Sequence, residues 1–245
     1  MMRTILLNVE YDGTAYAGWQ VQSNALTVQE VVESALTQIL GYEIRIHSSS
    51  RTDAGVHARD MAVHFRTEST IPLTAFCAGA NAFLPDDVVI RQAREMPESF
   101  HARFSSKGKW YRYTIYNADV RSPLSCRTAW HLRGNLDLEL MREAARILVG
   151  EHDFQAFRTT GCIAQTTVRE IFQIEVNSNR EFIYLDFKGS GFLRNMVRIL
   201  VGTLAEIGQG KRPLSDLEKL LQGETGLSSG ATAPAHGLCL QEVWY

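Results

Sequence analysis

The chain has 245 residues, 45% of them hydrophobic and 21% charged, with 25 basic and 27 acidic side chains and a net charge of -2. That composition excludes intrinsic disorder, and no apolar run approaches the roughly 18 residues that cross a bilayer. The total gives no sign of a nucleic-acid binder, yet 20 of the 25 basic residues are Arg, the cation suited to phosphates and to partly buried ion pairs.

Residues 4–11 alternate, with Ile5, Leu7, Val9 and Tyr11 opposite Leu6, Asn8 and Glu10, which predicts a strand with two unlike faces. The stretch from Met1 to Glu10 reads as that strand and not as a signal peptide. A loop from Asp12 to Asn24 holds Gly13, Gly18 and Trp19. Thr27 and Glu30 form a capping box, Gly41 is a stop, and Val28, Val31, Val32, Ala35, Leu36, Ile39 and Leu40 stripe the helix between. Strands are expected at 43–49 and 60–66, a helix from Pro72 to about Phe83, and a strand at 88–94. The order is strand, helix, two strands, helix, strand, the ferredoxin-like pattern.

Residues 97–108, with Pro97 and several Ser, read as a linker. The spacing then predicts strands at 109–117 and 127–133 and a helix at 137–149 that starts on Asp137 and stops at Gly150. Strands at 167–177 and 182–189 lead to a helix at 192–207. A short helix at 215–222 has its own capping box, Ser215 and Glu218, and a last strand covers 238–244. The pattern repeats. The expected fold is therefore α+β, with ferredoxin- or RRM-like halves at 1–105 and 106–245. They are expected to form a mostly antiparallel sheet, with helices on one face and a cleft between the halves.

Cys77, Cys126, Cys162 and Cys239 are far apart, which predicts thiols in a reducing compartment and no disulfide framework. The seven His show no metal-ligand spacing. A cytoplasmic protein without metal is expected.

Charge is localised. Residues 100–133 hold seven basic groups against one acid, net +6; residues 186–212 are net +3 and residues 45–66 net +2. The remainder is net -13. The first window also holds Trp110, Tyr111, Tyr113, Tyr116 and Trp130. Cations interleaved with aromatics suit looped or single-stranded RNA, phosphates for one and bases for the other. The same aromatics are also ordinary strand residues.

Three residues carry candidate chemistry. Asp53, in the polar run Ser48 to Ala58 that must turn at Gly55, fits a nucleophile, a general base, a metal ligand or an Asx-turn residue. Tyr111 shares a strand face with Tyr113 and Ile115, a setting that fits half-buried packing as well as catalysis. Arg198 lies four residues after Arg194 on one face of the expected helix, where a pair of solvated arginines is the ordinary alternative. Phosphate contacts are expected from Lys107, Lys109, Arg112, Arg121 and Arg194. P-loop, dinucleotide-binding and nucleophile-elbow motifs are absent from the sequence.

The string Arg51-Thr52-Asp53-Ala54-Gly55-Val56-His57-Ala58 resembles the catalytic signature of the TruA family of tRNA pseudouridine synthases. Four more blocks agree in order. They are Tyr11-Asp12-Gly13-Thr14 with Gly18-Trp19-Gln20, Lys109 to Tyr113 with Ile115-Tyr116-Asn117, Gly150 to Phe154, and Phe192 to Arg198 with Val201-Gly202. One departure is Ser50, where the family usually has glycine. The resemblance covers essentially the whole chain. It implies isomerisation of uridine to pseudouridine at positions 38, 39 and 40 of the tRNA anticodon stem-loop, without cofactor, by a homodimer. It implies Asp53 as nucleophile, Arg198 as its ion-pair partner from the other half, and Tyr111 stacked on the flipped uracil. Arg51 would fill the space that the base leaves. A non-catalytic tRNA-binding protein of RRM-like sheets is the competing reading, and it leaves the Asp53 loop unexplained.

Overall fold

A computed structural model describes residues 2–159 and 165–245. Cys162 lies outside the described residues; Cys77, Cys126 and Cys239 carry reduced thiols. The chain is α+β and forms two compact units, Met1–Lys107 with Leu240–Tyr245, and Gly108–Cys239.

The first unit runs β1 (Arg3–Tyr11), α1 (Val28–Leu40), β2 (His47–Ser48), β3 (His57–Thr67), α2 (Leu73–Asn81) and β4 (Val88–Met96). Its sheet order is β4-β1-β3 with β2 against the far side of β3, all antiparallel, the ferredoxin-like arrangement. The last strand, β10 (Leu238–Trp244), also neighbours β3. Local chemistry builds α1 as expected. Thr27 accepts from the Glu30 amide, and Gly41 closes the helix in the left-handed region at φ 78°.

Two expectations here are corrected. The strand at 43–49 shrinks to His47–Ser48, because α1 side chains take over the backbone groups before it. Glu33 accepts from the Ile46 amide at 3.0 Å, and Gln29 donates to the Ile46 carbonyl at 3.3 Å. The strand expected at 60–66 starts earlier, at His57, two residues after the turn glycine. The two unlike faces expected of β1 are both covered. Ile5, Leu6, Leu7 and Val9 are all fully buried, and Asn8 is buried too. Asn8 donates to Asp60 and accepts from Arg94 at 3.2 Å, so a paired polar network covers that side. Burial raises the Asp60 pKa, opposed by the Asn8 bond and by Arg94.

The second unit runs β5 (Gly108–Tyr116), β6 (Trp130–His131), α3 (Leu138–Ile147), β7 (Gly150–Asp153), β8 (Val168–Asn179), β9 (Phe182–Gly189), α4 (Met196–Gly208) and α5 (Ser215–Leu221). Its order is β5-β9-β8-β7, with β5–β9, β8–β9 and β7–β8 all antiparallel; β6 adds in parallel to β5. The β5-β9-β8 run repeats the β1-β3-β2 run of the first unit. On β5, Tyr111, Tyr113 and Ile115 share the buried face, as alternation predicts.

Four boundaries differ from expectation. The strand at 127–133 is only Trp130–His131, because residues 122–129 wind into turns closed on the Ser122 and Ser125 carbonyls. Gly150 is not the helix stop: α3 ends at Ile147 with Leu148 as its cap, and Gly150, at φ 111°, begins β7. The long helix starts at Met196, not 192, because Asn195 is left-handed at φ 61°. Arg194 therefore precedes the helix and does not share a helical face with Arg198. Ser215 is not a cap. Leu214 is already helical and the first turn closes on the Pro213 carbonyl, so the Ser215–Glu218 capping box does not form.

Candidate active site

Asp53 sits in the first unit on the turn between β2 and β3. Gly55, at φ 77°, reverses the chain, and the Val56 amide donates to the Asp53 main-chain carbonyl at 3.1 Å. A second loop, residues 12–20, clamps this turn. The Trp19 amide donates to the Thr52 carbonyl at 3.1 Å, and the Gly55 amide to the Tyr16 carbonyl at 3.3 Å. The Tyr11 and Thr52 hydroxyls share a 2.7 Å bond, and the Gly13 amide donates to His57 Nδ1 at 3.1 Å. Trp19 is buried beneath.

Two glycines permit that approach. A Cβ on Gly13 would lie 2.0 Å from the Val56 carbonyl oxygen. One on Gly18, which is at φ 97°, would lie 2.7 Å from that of Thr52. The opening motif thus buttresses the Asp53 turn. Gly18→Ala is expected to lower unfolding free energy in urea by about 2 kcal/mol and to reduce activity with it. Unchanged unfolding would show that the two loops do not depend on each other.

Ser50, at the base of the turn, is buried, and its hydroxyl has no hydrogen-bond partner among the described residues. Glycine at this position would leave no such orphan. Arg51 is exposed and Asp53 is partly exposed, so acid and cation are presented from a clamped backbone.

In the second unit, Tyr111 is 8% exposed and packs edge-on against Phe192, ring centroids 5.4 Å apart. Arg198 lies in the first turn of α4, half-buried. Its Nε donates to the Ala233 carbonyl at 2.7 Å and one Nη to Asn195 Oδ1 at 2.8 Å. Asn195 Nδ2 donates in turn to Thr159 Oγ1 at 3.2 Å. A left-handed non-glycine residue costs conformational energy, and here its amide orients an arginine. Residues 230–237 hold the other side. Gly202 admits them: its Cβ would lie 1.8 Å from the Ala231 oxygen. The Tyr113 hydroxyl donates to the Pro234 carbonyl at 2.8 Å, and burial pushes its pKa far up, so it stays a neutral donor. Sequence reasoning missed Asn195, Gly202 and the 230–237 segment as supports, although the first two lie inside quoted motifs.

The second unit thus carries Tyr111 on β5 and Arg198 on α4, while Asp53 belongs to the first unit. The cations separate by environment. Lys107, Arg121 and Arg194 are exposed and Lys109 is half-buried. Arg112 instead forms two 2.8 Å bonds to Asp186, which is 3% exposed and also accepts from Trp110 Nε1 at 2.6 Å. Those bonds raise the Arg112 pKa further. Among the described residues, no group of three or more His, Cys, Asp and Glu is placed to hold a metal ion, and no helix is long and apolar enough to cross a membrane.

A family model described as tRNA pseudouridine synthase matches residues 8–105 and 144–245. The chain belongs to the tRNA pseudouridine synthase family. The matched spans include the Asp53 turn, its clamp, Asn195 and Arg198; Tyr111 falls between them. Full-length relatives cover it. The tRNA pseudouridine synthase A of Syntrophotalea carbinolica is 55% identical over 100% of this chain and 97% of its own length. That of Geobacter sulfurreducens is 52% identical over 99% of each chain, and that of Ruminiclostridium cellulolyticum 46% over 100% of each.

Proposed function

We propose that this member of the family isomerises uridine to pseudouridine at positions 38, 39 and 40 of the tRNA anticodon stem-loop, with Asp53 as the nucleophile. The observation that carries the reading is the Asp53 turn, a partly exposed carboxylate on a backbone clamped from Tyr11, Gly13, Tyr16 and Trp19 within a family-matched span. A rigid presentation of that kind places a nucleophile before the substrate arrives.

The reaction balances within one nucleotide. The N1–C1′ bond breaks, the uracil turns over, the C5–C1′ bond forms, C5 loses its proton and N1 gains one. Asp53 attacks C6 of the base or C1′ of the ribose. Arg198 pairs with the carboxylate, which favours its ionised form. Tyr111 stacks on the extruded base, and its hydroxyl serves the C5 proton transfer. Arg51 occupies the vacated stack and offsets part of the unstacking cost. Lys107, Lys109, Arg121 and Arg194 neutralise phosphates. Arg112 belongs to the same proposed set, though its fork already pairs with Asp186. The protein acts in the cytoplasm as a homodimer, one tRNA touching both subunits.

Pseudouridine mapping of an unmodified tRNA transcript after incubation with the pure protein tests the reading. Modification confined to positions 38–40 and insensitive to EDTA is expected. Bound but unmodified tRNA would favour the non-catalytic alternative.

A further inference from the structure

The segment 100–105 is wound into a compact turn. The Ser105 amide donates to the His101 carbonyl at 2.9 Å, and the His101 amide donates to Ser105 Oγ at 3.1 Å. The His101 ring sits inside it: Nδ1 accepts from the Arg103 amide at 3.1 Å and the Phe104 amide at 3.4 Å. Burial and the neighbouring His47 push the His101 pKa down, which keeps that nitrogen an acceptor at neutral pH. His101 is itself fixed against His64, ring centroids 4.5 Å apart, and His64 Nδ1 accepts from the Ala102 amide at 3.2 Å.

The product of this scaffolding is Phe104. Its ring lies 4.3 Å from His101, centroid to centroid, and the Arg103 guanidinium is 5.6 Å from its centre. Yet Phe104 is 76% exposed. The fold holds an aromatic ring in place and leaves it in water, where it adds no burial to stability. Its surroundings are cationic and polar. Arg103 and Lys107 are exposed, with Ser105 and Ser106 between them. A protein–protein patch would spread apolar surface around the ring and would be poor in Lys. A fixed aromatic face flanked by cations suits a polyanion that carries planar bases.

We infer that Phe104, Arg103 and Lys107 form an RNA-docking surface on which an unstacked base of the tRNA lies against the Phe104 ring while the two cations meet adjacent phosphates. The inference rests on the reading of the chain as a tRNA-modifying enzyme. Because His101 fixes the ring beforehand, little side-chain freedom is lost on docking.

The test is tRNA affinity of the full chain with an unmodified transcript, for Phe104→Ala, Phe104→Tyr and Arg103→Ala. Phe104→Ala is expected to weaken binding about tenfold with its salt dependence unchanged, and Phe104→Tyr to bind as the unsubstituted protein does. Arg103→Ala is expected to reduce the salt slope by about one. Unaltered melting separates these effects from misfolding, since the ring is exposed. Affinity unchanged in Phe104→Ala would overturn the proposal. So would a Phe104→Ala chain that sediments as a smaller species, because the patch would then join copies of the protein. Pseudouridine formation by the unsubstituted chain is scored apart: its absence overturns the enzymatic reading, whereas the affinity ratio alone decides the docking surface.

Discussion

Replacing Asp53 by Asn is expected to lower tritium release from C5-labelled tRNA by at least about a thousandfold, with tRNA affinity and melting temperature held near their original values. The amide keeps the size of the side chain and removes its charge and nucleophilicity, and loss of a nucleophile removes the covalent route itself. Binding should survive because Asn keeps the shape of the side chain and main-chain bonds hold the turn: it closes on the Asp53 main-chain carbonyl and is clamped through Thr52 and Gly55. If Asp53→Asn keeps tritium release near the original rate, the nucleophile assignment is wrong. If it loses tRNA binding instead, Asp53 is part of the recognition surface.

The second large effect is expected at Arg198. Arg198→Lys keeps a positive charge but cannot present two fixed donors. One donor of the guanidinium is set by the Ala233 carbonyl and another by Asn195, so the fork is already oriented before any substrate binds. Lysine gives a mobile point charge in its place. A fall of about a hundredfold in kcat/KM is expected, the scale of losing one positioned charge-stabilising group, with tRNA affinity within about twofold. A change below about twofold in pseudouridine formation would contradict the ion pair with Asp53.

What the sequence revealed depended on how local the physics is. The α1 boundaries follow from Thr27, Glu30 and Gly41, which act within one turn of their own positions, and the structure places them as expected. The strand at 43–49 shrank because Glu33 and Gln29, a dozen or more residues away, satisfy its backbone. No periodicity carries that information. The start of α4 was obscured in a similar way. Residues 192–195 have a helix-compatible pattern, and the left-handed backbone of Asn195 is held by Arg198 and Thr159, partners that come together only on folding.

The candidate site divides along the same line. Asp53, Tyr111 and Arg198 could be named because they stand in motifs, and the glycines of the opening block could be quoted. The reason for those glycines lies in a contact across about forty residues, between Gly13 and Val56 and between Gly18 and Thr52. The charge windows were coarser. They gathered Arg112 with the phosphate candidates, while Asp186, its buried partner, fell in a different window. Phe104 left no periodic signal at all. Its interest lies in being exposed while fixed, a property of the folded chain alone.

The most direct measurement is pseudouridine mapping on one tRNA transcript carrying uridine at positions 38, 39 and 40 and elsewhere, with the unsubstituted chain and Asp53→Asn side by side. Pseudouridine at those anticodon-arm positions with the former, and at none with the latter, is the predicted result. Pseudouridine at the same positions with both proteins, or uridine unchanged throughout with the unsubstituted chain, would contradict the account.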